Sequence, residues 1–356
     1  MRYVTILNTD LKPAILCLGT AEMGSKINRT TAFQILDAYV DRGGNYLDTA
    51  KVYADWLPGE RSASEKLLGE WMAARGNRNK IILMTKGGHP DVQTMHTPRL
   101  SPDEILHDLH ASLQHLRTDV IDLYVLHRDD PNRSVEEILT VLNDQVKAGK
   151  IRYFGCFSWQ PARLKVAQAF AANNGFQGFV ANQVLWNAAV VDSQGIPDKS
   201  LVAMDQDMWQ YHRDTGLAAV PFSPLVSGTF HHMEQQSYLS RMLNASLKSG
   251  RNRVRSRHSM YPPLINHQRF QHIKRIAQES NLSLTQVLLG YLLSQPFPTF
   301  PIVSCRTLKR LEESLSATEI QLSILQSAIA NPKSKIALPG NRFAIAKETT
   351  TNHTLW

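Results

Sequence analysis

Short apolar runs alternate with longer amphipathic segments along almost the whole chain. Eight runs rich in valine, isoleucine, leucine and tyrosine predict β-strands. They cover 14–20, 43–50, 80–86, 120–127, 151–157, 178–186, 217–224 and 299–305. Strands that alternate with helices pair in parallel through right-handed crossovers. Eight such units predict an α/β fold, a single (β/α)8 TIM barrel.

The segments between the runs carry helix-start signals. Between the third and fourth runs, Ser101 suits the N-cap position and Pro102 the first helical position. Between the fourth and fifth runs, Ser134 is followed three residues later by Glu137, the spacing of a capping box, and the helix is expected to end at Gly149. These signals favour helical crossovers between the strands.

An open, doubly wound parallel sheet is the alternative architecture. That fold normally has a G-x-G-x-x-G fingerprint after its first strand. Here the first run is followed by GTAEMGSKINRT, which does not match it. The sequence therefore favours the closed barrel.

The ends of the chain and one insertion depart from the alternating pattern. RYVTI and LKPAI flank NTD near the N-terminus and predict a short β-hairpin that closes the barrel bottom. A long loop is expected at 229–265, on the C-terminal face. We predict that 1–330 form the barrel domain and that 331–356 form an irregular tail, a lid or a partly disordered segment.

Composition narrows the classes of protein. The 356 residues are 43% hydrophobic and 20% charged, as in ordinary globular proteins. Without a secretory signal or an apolar run of membrane-spanning length, a cytoplasmic protein with no membrane partner is expected. The three cysteines are sparse and unclustered, which argues against disulfides and against a metal site.

The net charge of +8 raises the question of an anionic partner. The basic residues are mostly dispersed, apart from RNRVRSRH at 251–258. That stretch is interpreted as a solvated loop, with contact to a phosphate-bearing ligand as the alternative. No zinc-finger, RNP or basic-zipper pattern supports nucleic-acid binding.

Polar residues stand at the ends of three consecutive predicted strands. Asp48, Lys86 and His127 end the second, third and fourth runs, and Tyr53 follows in the loop after the second. Catalytic groups of such barrels lie at the C-terminal ends of strands. We expect the Lys86 ammonium, held by Asp48, to lower the pKa of the Tyr53 phenol. The phenol would then protonate a carbonyl oxygen, with His127 at the same oxygen.

These residues, with their neighbours, resemble the aldo-keto reductases. The resemblance runs in order over roughly residues 3–320, through seven segments: DTAKVYADW, TKGG, DLYVLHRDDP, KAGKIRYFGCFSWQPARL, VANQVLWN, VPFSPLVSG and PIVSCRTLKRLEESL. It implies a (β/α)8 barrel that binds NADPH across its mouth and reduces an aldehyde or ketone. It makes Tyr53 the proton donor, supported by Asp48, Lys86 and His127.

The resemblance also implies a set of cofactor-binding residues. Gly19 and Thr20 would line the nicotinamide side, with Gln183 at the carboxamide and Phe222 stacked on the ring. The pyrophosphate and adenosine contacts would come from Ser223, Leu225, Ser227, Gly228, Arg306, Thr307, Arg310, Glu313 and Ser314. The family's Ser-Asn pair is Phe157-Ser158 here, so Ser158 is expected to replace only part of the carboxamide contact.

Trp56, Trp159 and Trp186 are the predicted substrate-pocket residues, beside His127. They suit a small carbonyl substrate without choosing among aldehydes, ketones and sugars. Two other functions stay open. The chain could be a regulatory, cofactor-binding subunit, as in potassium-channel β-subunits, or a lyase or aldolase with Lys86 as Schiff base. Neither the oligomeric state nor the physiological substrate follows from the sequence.

Overall fold

The computed structural model describes residues 1–234 and 260–320. Eight parallel strands follow one another around a barrel: β1 (Cys17–Gly19), β2 (Tyr46–Asp48), β3 (Ile82–Gly87), β4 (Ile121–Leu126), β5 (Ile151–Phe157), β6 (Ala181–Leu185), β7 (Ala218–Phe222) and β8 (Ile302–Val303). The strands pair in chain order from β1 to β7, and β8 pairs with β1. A bridge between Ala219 and Thr299 links β7 to the segment before β8. The predicted (β/α)8 barrel is confirmed.

Helices connect the strands and form the outer layer. In the described residues they are α1 (Arg29–Asp41), α2 (Ala63–Arg75), α3 (Pro102–Leu116), α4 (Val135–Lys147), α5 (Pro161–Asn173), α6 (Gln206–Thr215), α7 (Thr229–Glu234), α8 (Pro263–Glu279), α9 (Leu284–Leu293) and α10 (Leu308–Ser316).

The predicted helix starts are confirmed, with one correction. Ser101 caps α3, and Glu104 completes a capping box. Ser134 caps α4 by accepting the Glu137 N–H at 3.2 Å. The predicted capping box was wrong in its second hydrogen bond, from the Ser134 N–H to the Glu137 side chain. The Glu137 carboxylate instead pairs with Arg133 at 2.6 Å.

The cap of α3 gives the first testable prediction. Ser101→Ala removes the acceptor of the Glu104 N–H, so we expect about 1 kcal/mol lower free energy of unfolding. Urea denaturation measures the change. Ser101→Asp keeps a capping oxygen and should stay close to wild type. An alanine variant as stable as the aspartate variant would show that the cap contributes nothing.

The N-terminal segment forms the predicted hairpin. Tyr3 and Ala14 make an antiparallel bridge, and the Ile6 N–H donates to the Leu11 carbonyl at 3.0 Å. Asp10 at the turn pairs with Arg152, at the start of β5. The hairpin therefore covers the end of the barrel where the strands begin.

The expectation of a loop over all of 229–265 was wrong at both ends. Residues from Thr229 form α7, because Phe230 and Met233 are buried on one side of it, and α8 begins at Pro263. Residues 235–259 of that insertion, including the basic stretch at 251–258, lie outside the described residues. So do the predicted tail at 331–356 and the domain boundary before it.

Alternation along the strands decides which side chains face the barrel interior. Tyr46 and Met84 belong to the interior core, whereas Leu47 and Leu83 pack outward with the helices. Two residues further along β3 from Met84, Lys86 therefore points inward. The barrel core thus fills the lower part and leaves polar side chains at the upper end of the strands.

The described part of the chain contains no helix long and apolar enough to cross a membrane. Its residues also include no group of histidine, cysteine, aspartate and glutamate side chains that could hold a metal ion. The three cysteines are buried free thiols.

Candidate active site

The upper end of the barrel brings together the four residues predicted from the strand ends. Asp48 is the last residue of β2 and Lys86 lies near the end of β3. The backbone N–H of His127, just after β4, donates to the Gly87 carbonyl at 2.8 Å. Tyr53, in the loop after β2, returns over the strand ends to contact Lys86.

Lys86 is the centre of this group and is fully buried. Its Nζ lies 2.5 Å from Asp48 Oδ1, 2.8 Å from the Tyr53 hydroxyl and 2.7 Å from the Thr49 carbonyl. The ammonium donates hydrogen bonds to the Tyr53 hydroxyl and the Thr49 carbonyl, and the Asp48 carboxylate forms an ion pair with it. Burial lowers the pKa of Lys86, while the Asp48 carboxylate raises it. The three acceptors fit the charged form.

Tyr53 behaves differently from the expectation. Burial first, and then the Asp48 carboxylate, raise the pKa of Tyr53 well above its usual value. The expected lowering by Lys86 is therefore wrong for the resting site. The physical reason is that the phenol also donates to Asp48 Oδ2, at 3.3 Å, a bond that stabilises the protonated form. The phenol thus keeps its proton until another acceptor arrives.

His127 is buried and neutral. Burial, followed by the neighbouring His89, Arg128 and Lys86, lowers its pKa well below the usual value. Its ring stands edge-on to Tyr53, with 5.9 Å between the ring centroids. Nδ1 of His127 is buried and has no hydrogen-bond partner among the described residues.

Two polar residues of the site were missed by the sequence reasoning. His89 lies 4.7 Å from the His127 ring, and its Nδ1 lies 2.6 Å from the Pro90 carbonyl. Burial and Arg128 lower the pKa of His89 to about 4, so it is neutral with Nε2 as an acceptor. Buried Arg128 donates to the His127 carbonyl at 2.6 Å and to Asp198 at 2.9 Å. Their position in the sequence could have identified them as site residues, because His89 closely follows β3 and Arg128 closely follows β4.

Aromatic rings form the wall of the mouth. Phe157, at the end of β5, stacks on Phe222, at the end of β7, with centroids 5.0 Å apart and 19° between the planes. Its ring also lies edge-on to His127 at 5.3 Å. The Trp56 ring lies edge-on to Tyr53, with 6.0 Å between the ring centroids, and Trp56 is 49% exposed, so it lies at the rim of the mouth.

The other two predicted pocket residues do not line this mouth. Trp159 is fully buried and packs on Phe179, with 4.8 Å between the centroids. Trp186 is buried against Phe297 at 5.8 Å and Tyr291 at 6.2 Å. Their inclusion in the substrate pocket was wrong, because both indoles turn into the core between barrel and helices, away from solvent.

The predicted cofactor residues lie around the same end of the barrel. Gly19 ends β1 and Thr20 follows it, and the Thr20 hydroxyl donates to the Asp48 carbonyl at 2.9 Å. Ser158 Oγ and Gln183 Oε1 are buried oxygens without a partner among the described residues. Their backbones are joined, since the Ser158 N–H donates to the Gln183 carbonyl at 2.8 Å. Two unsatisfied side-chain oxygens on adjoining residues fit an amide ligand such as a carboxamide.

The segment after β7 has an unusual backbone. Ser223, Val226, Ser227 and Gly228 all have positive φ, and the Gly228 N–H donates back to the Leu225 carbonyl. Left-handed residues next to right-handed ones form concavities of N–H groups that bind anions. The segment therefore fits a pyrophosphate.

The segment after β8 holds the remaining predicted cofactor residues. Arg306 is exposed and donates from Nε and Nη2 to Glu22, each at 2.5 Å. Thr307 caps α10 by accepting the Arg310 N–H. Ser314 is buried, with its hydroxyl on the Arg310 carbonyl at 2.9 Å, and Glu313 is half-buried on the same helix. The Arg306 guanidinium is therefore exposed to solvent and is held by Glu22, which it could exchange for another anion.

Comparison with known proteins places this geometry in context. The chain is 32% identical over 336 residues to norsolorinic acid reductase B of Aspergillus parasiticus, with 88% of this chain and 79% of that protein covered. An uncharacterised oxidoreductase of Bacillus subtilis, YrpG, is 30% identical, with 90% and 92% covered. An aryl-alcohol dehydrogenase [NADP(+)] of Phanerodontia chrysosporium is 28% identical, with 88% and 80% covered.

The family model of the aldo/keto reductases matches residues 15–332. That match spans all eight strands and every residue of the site. Relatives named as reductases, dehydrogenases and oxidoreductases agree with it. The chain therefore belongs to the aldo/keto reductase family, and it is an oxidoreductase of the carbonyl-reducing type.

Proposed function

We propose that this enzyme reduces an aldehyde or ketone to an alcohol with NADPH as hydride donor and Tyr53 as general acid. The observation that carries the proposal is the contact of the Tyr53 hydroxyl with the buried Lys86 ammonium, itself held by Asp48. A phenol beside a fixed cation can release its proton and be stabilised as phenolate at that moment. This suits an oxygen that gains negative charge.

The steps follow from the residues at the mouth. NADPH held by Ser158, Gln183 and the segment at 223–228 would supply a hydride for the carbonyl carbon. The carbonyl oxygen lies within reach of the Tyr53 hydroxyl and the neutral His127 ring, which orients it. As the oxygen becomes an alkoxide, Tyr53 transfers its proton to it, and Lys86 stabilises the resulting phenolate. Buried Phe157 borders the place of this exchange beside His127.

The cofactor contacts are part of the proposal. Ser158 and Gln183 would receive the carboxamide on their unsatisfied oxygens, and the positive-φ segment at 223–228 would receive the pyrophosphate. Phe222 would stack on the nicotinamide. Arg306 would leave Glu22 for the adenosine 2′-phosphate, the group that NADPH has and NADH lacks, which a guanidinium binds through two parallel hydrogen bonds.

Arg306 decides the preference for NADPH over NADH. Arg306→Ala should weaken NADPH binding about tenfold or more, because a charge-assisted bond is lost, and should leave NADH binding nearly unchanged. Quenching of protein fluorescence measures both dissociation constants. Lys309→Ala removes a neighbouring exposed cation and is the matched control. Equal weakening of both cofactors would remove the assignment.

For the substrate we propose an aromatic carbonyl compound. The mouth is bounded by the rings of Tyr53, Trp56, His127 and Phe157, against which a planar ring can stack. The relatives include reductases named for norsolorinic acid and dehydrogenases named for aryl alcohols. We therefore expect benzaldehydes to be better substrates than glyceraldehyde.

The experiment is NADPH oxidation by the wild-type enzyme against benzaldehyde, para-nitrobenzaldehyde, methylglyoxal and glyceraldehyde. Turnover that favours the aromatic aldehydes supports the proposal. Tight NADPH binding with no turnover on any carbonyl would overturn it and favour a regulatory cofactor-binding subunit. Turnover only on glyceraldehyde would remove the aromatic substrate class.

A further inference from the structure

A cavity lies beside the mouth of the barrel, between the segment after β2 and the segment after β3. Its volume is about 230 Å³. Lys86 contributes to its lining, and so does His89, whose ring lies 4.7 Å from that of His127. Val52, which directly precedes Tyr53, lines it as well. A substituent of a carbonyl compound bound at the mouth can therefore extend into this cavity.

Lys51, in the segment after β2, is held in place at the wall of the cavity. Its backbone N–H donates to the Lys86 carbonyl at 3.1 Å, and its Nζ lies 2.8 Å from Oδ1 of Asp108 on α3. No other partner of this ammonium is found among the described residues, and the side chain is 24% exposed. Since an ammonium has three donors, Lys51 has donors left for a ligand.

The Asp108 carboxylate is shared between two cations. It is buried, and it also accepts hydrogen bonds from the Gly88 N–H at 2.9 Å and from the Arg99 guanidinium at 3.2 and 3.3 Å. Burial would raise the pKa of Asp108, but its hydrogen bonds to Lys51 and to the Gly88 N–H lower it, so it carries one negative charge. Arg99 has a further ion pair with Glu104 at 3.6 Å. Lys51 depends on the shared carboxylate alone.

The lining as a whole carries charges of both signs. Four cationic side chains stand against three carboxylates: Lys51, Arg61, Lys86 and Arg99 against Asp55, Asp91 and Asp108. The Lys86 charge is compensated by Asp48. Asp91 is exposed, where water and salt screen its charge, and Asp55 already accepts a backbone N–H at 2.7 Å. Among the groups shielded from solvent, two cations share Asp108, so an anionic substituent fits this part of the lining.

We propose that this cavity binds an acidic substituent of the substrate, a carboxylate, and that Lys51 is the residue that determines this specificity. The inference rests on the proposed function, because the substituent belongs to the aromatic carbonyl compound that is reduced at Tyr53. Lys51 donates to the carboxylate while it keeps its ion pair with Asp108. The preferred substrates are therefore aromatic aldehydes and ketones that carry a carboxylate.

The kinetic test compares 3- and 4-carboxybenzaldehyde with their methyl esters, which have a similar shape and no charge. In the wild type, kcat/KM for the better acid should exceed that for its ester about tenfold or more, because a hydrogen bond to a charged group is gained. In Lys51→Met this ratio should fall close to one. A ratio near one in the wild type, or an unchanged ratio in Lys51→Met, would overturn the inference.

Control variants separate the Lys51 charge from the fold and from general electrostatics. Lys51→Arg keeps the cation and should retain most of the preference for the acid. Lys51→Gln should lose it, which covers the case in which Lys51→Met fails to fold. Lys66→Met removes a lysine of α2 that pairs with Glu60 at 2.6 Å and does not line the cavity, so the ratio should stay as in the wild type. A loss as large in Lys66→Met as in Lys51→Met would contradict a specific role of Lys51.

Binding provides a readout that needs no turnover. Isothermal titration calorimetry, with and without NADP⁺, measures the affinity of the alcohol products, 3- and 4-(hydroxymethyl)benzoate, and of their methyl esters. The wild type should bind the better acid about tenfold or more tightly than its ester, and Lys51→Met should bind the two alike. Equal affinities in the wild type would overturn the inference. If the wild type reduces none of the aldehydes, the reductase proposal fails, and the calorimetry still decides whether the cavity binds a carboxylate.

Discussion

Tyr53→Phe is expected to lower kcat/KM for an aromatic aldehyde about a thousandfold while leaving NADPH affinity unchanged. The substitution removes only the hydroxyl, which lies 2.8 Å from Lys86 and 3.3 Å from Asp48. The ring would keep its edge-on contacts with Trp56 and His127. What is lost is the proton donor that contacts the Lys86 ammonium. The measurements are steady-state kinetics and cofactor fluorescence.

Tyr3→Phe is the matched control, because that hydroxyl bonds to the Gly43 carbonyl near the N-terminal hairpin, far from the mouth. It should keep wild-type kinetics. The raised pKa of Tyr53 adds a pH expectation: the wild-type rate should show no loss from Tyr53 ionisation near neutral pH, since the phenol is protonated there. A Tyr53→Phe enzyme with more than about a tenth of wild-type kcat/KM would contradict its role as general acid.

Lys86→Met should have the second large effect, on both activity and stability. Without the ammonium, the phenolate of Tyr53 has no cation, so we expect kcat/KM to fall about a thousandfold or more. The buried Asp48 carboxylate also loses its partner at 2.5 Å. Breaking a buried ion pair on one side costs about 3–5 kcal/mol of stability. Urea denaturation and steady-state kinetics measure the two losses.

The double variant Asp48→Asn/Lys86→Met separates the two effects. It removes the unpaired buried charge, so it should recover much of the stability lost in Lys86→Met, while activity stays absent. Recovery of activity in the double variant would show that Lys86 serves the fold and not the proton transfer. Equal instability of the single and double variants would show that the unpaired Asp48 charge is not the cause.

The sequence alone was sufficient for the architecture. Eight apolar runs became the eight strands, since a strand buried on both faces must be apolar along its length. Ser101 and Ser134 marked helix starts, because the capping oxygen belongs to the residue itself. The four residues Asp48, Tyr53, Lys86 and His127 meet because the C-terminal ends of parallel strands share one edge, a consequence of topology that strand order already implies.

Interactions between distant segments were decided only by the folded structure. The pattern of residues places Trp159 and Trp186 near strand ends, but the direction of each indole depends on which core it packs against. The pKa of Tyr53 rises because burial and a carboxylate outweigh the nearby ammonium, and burial belongs to the assembled site. Glu22 reaches Arg306, and Arg128 reaches Asp198, through contacts between elements far apart in the chain. Local sequence encodes elements and their order, whereas charge states and side-chain partners follow from which elements pack together.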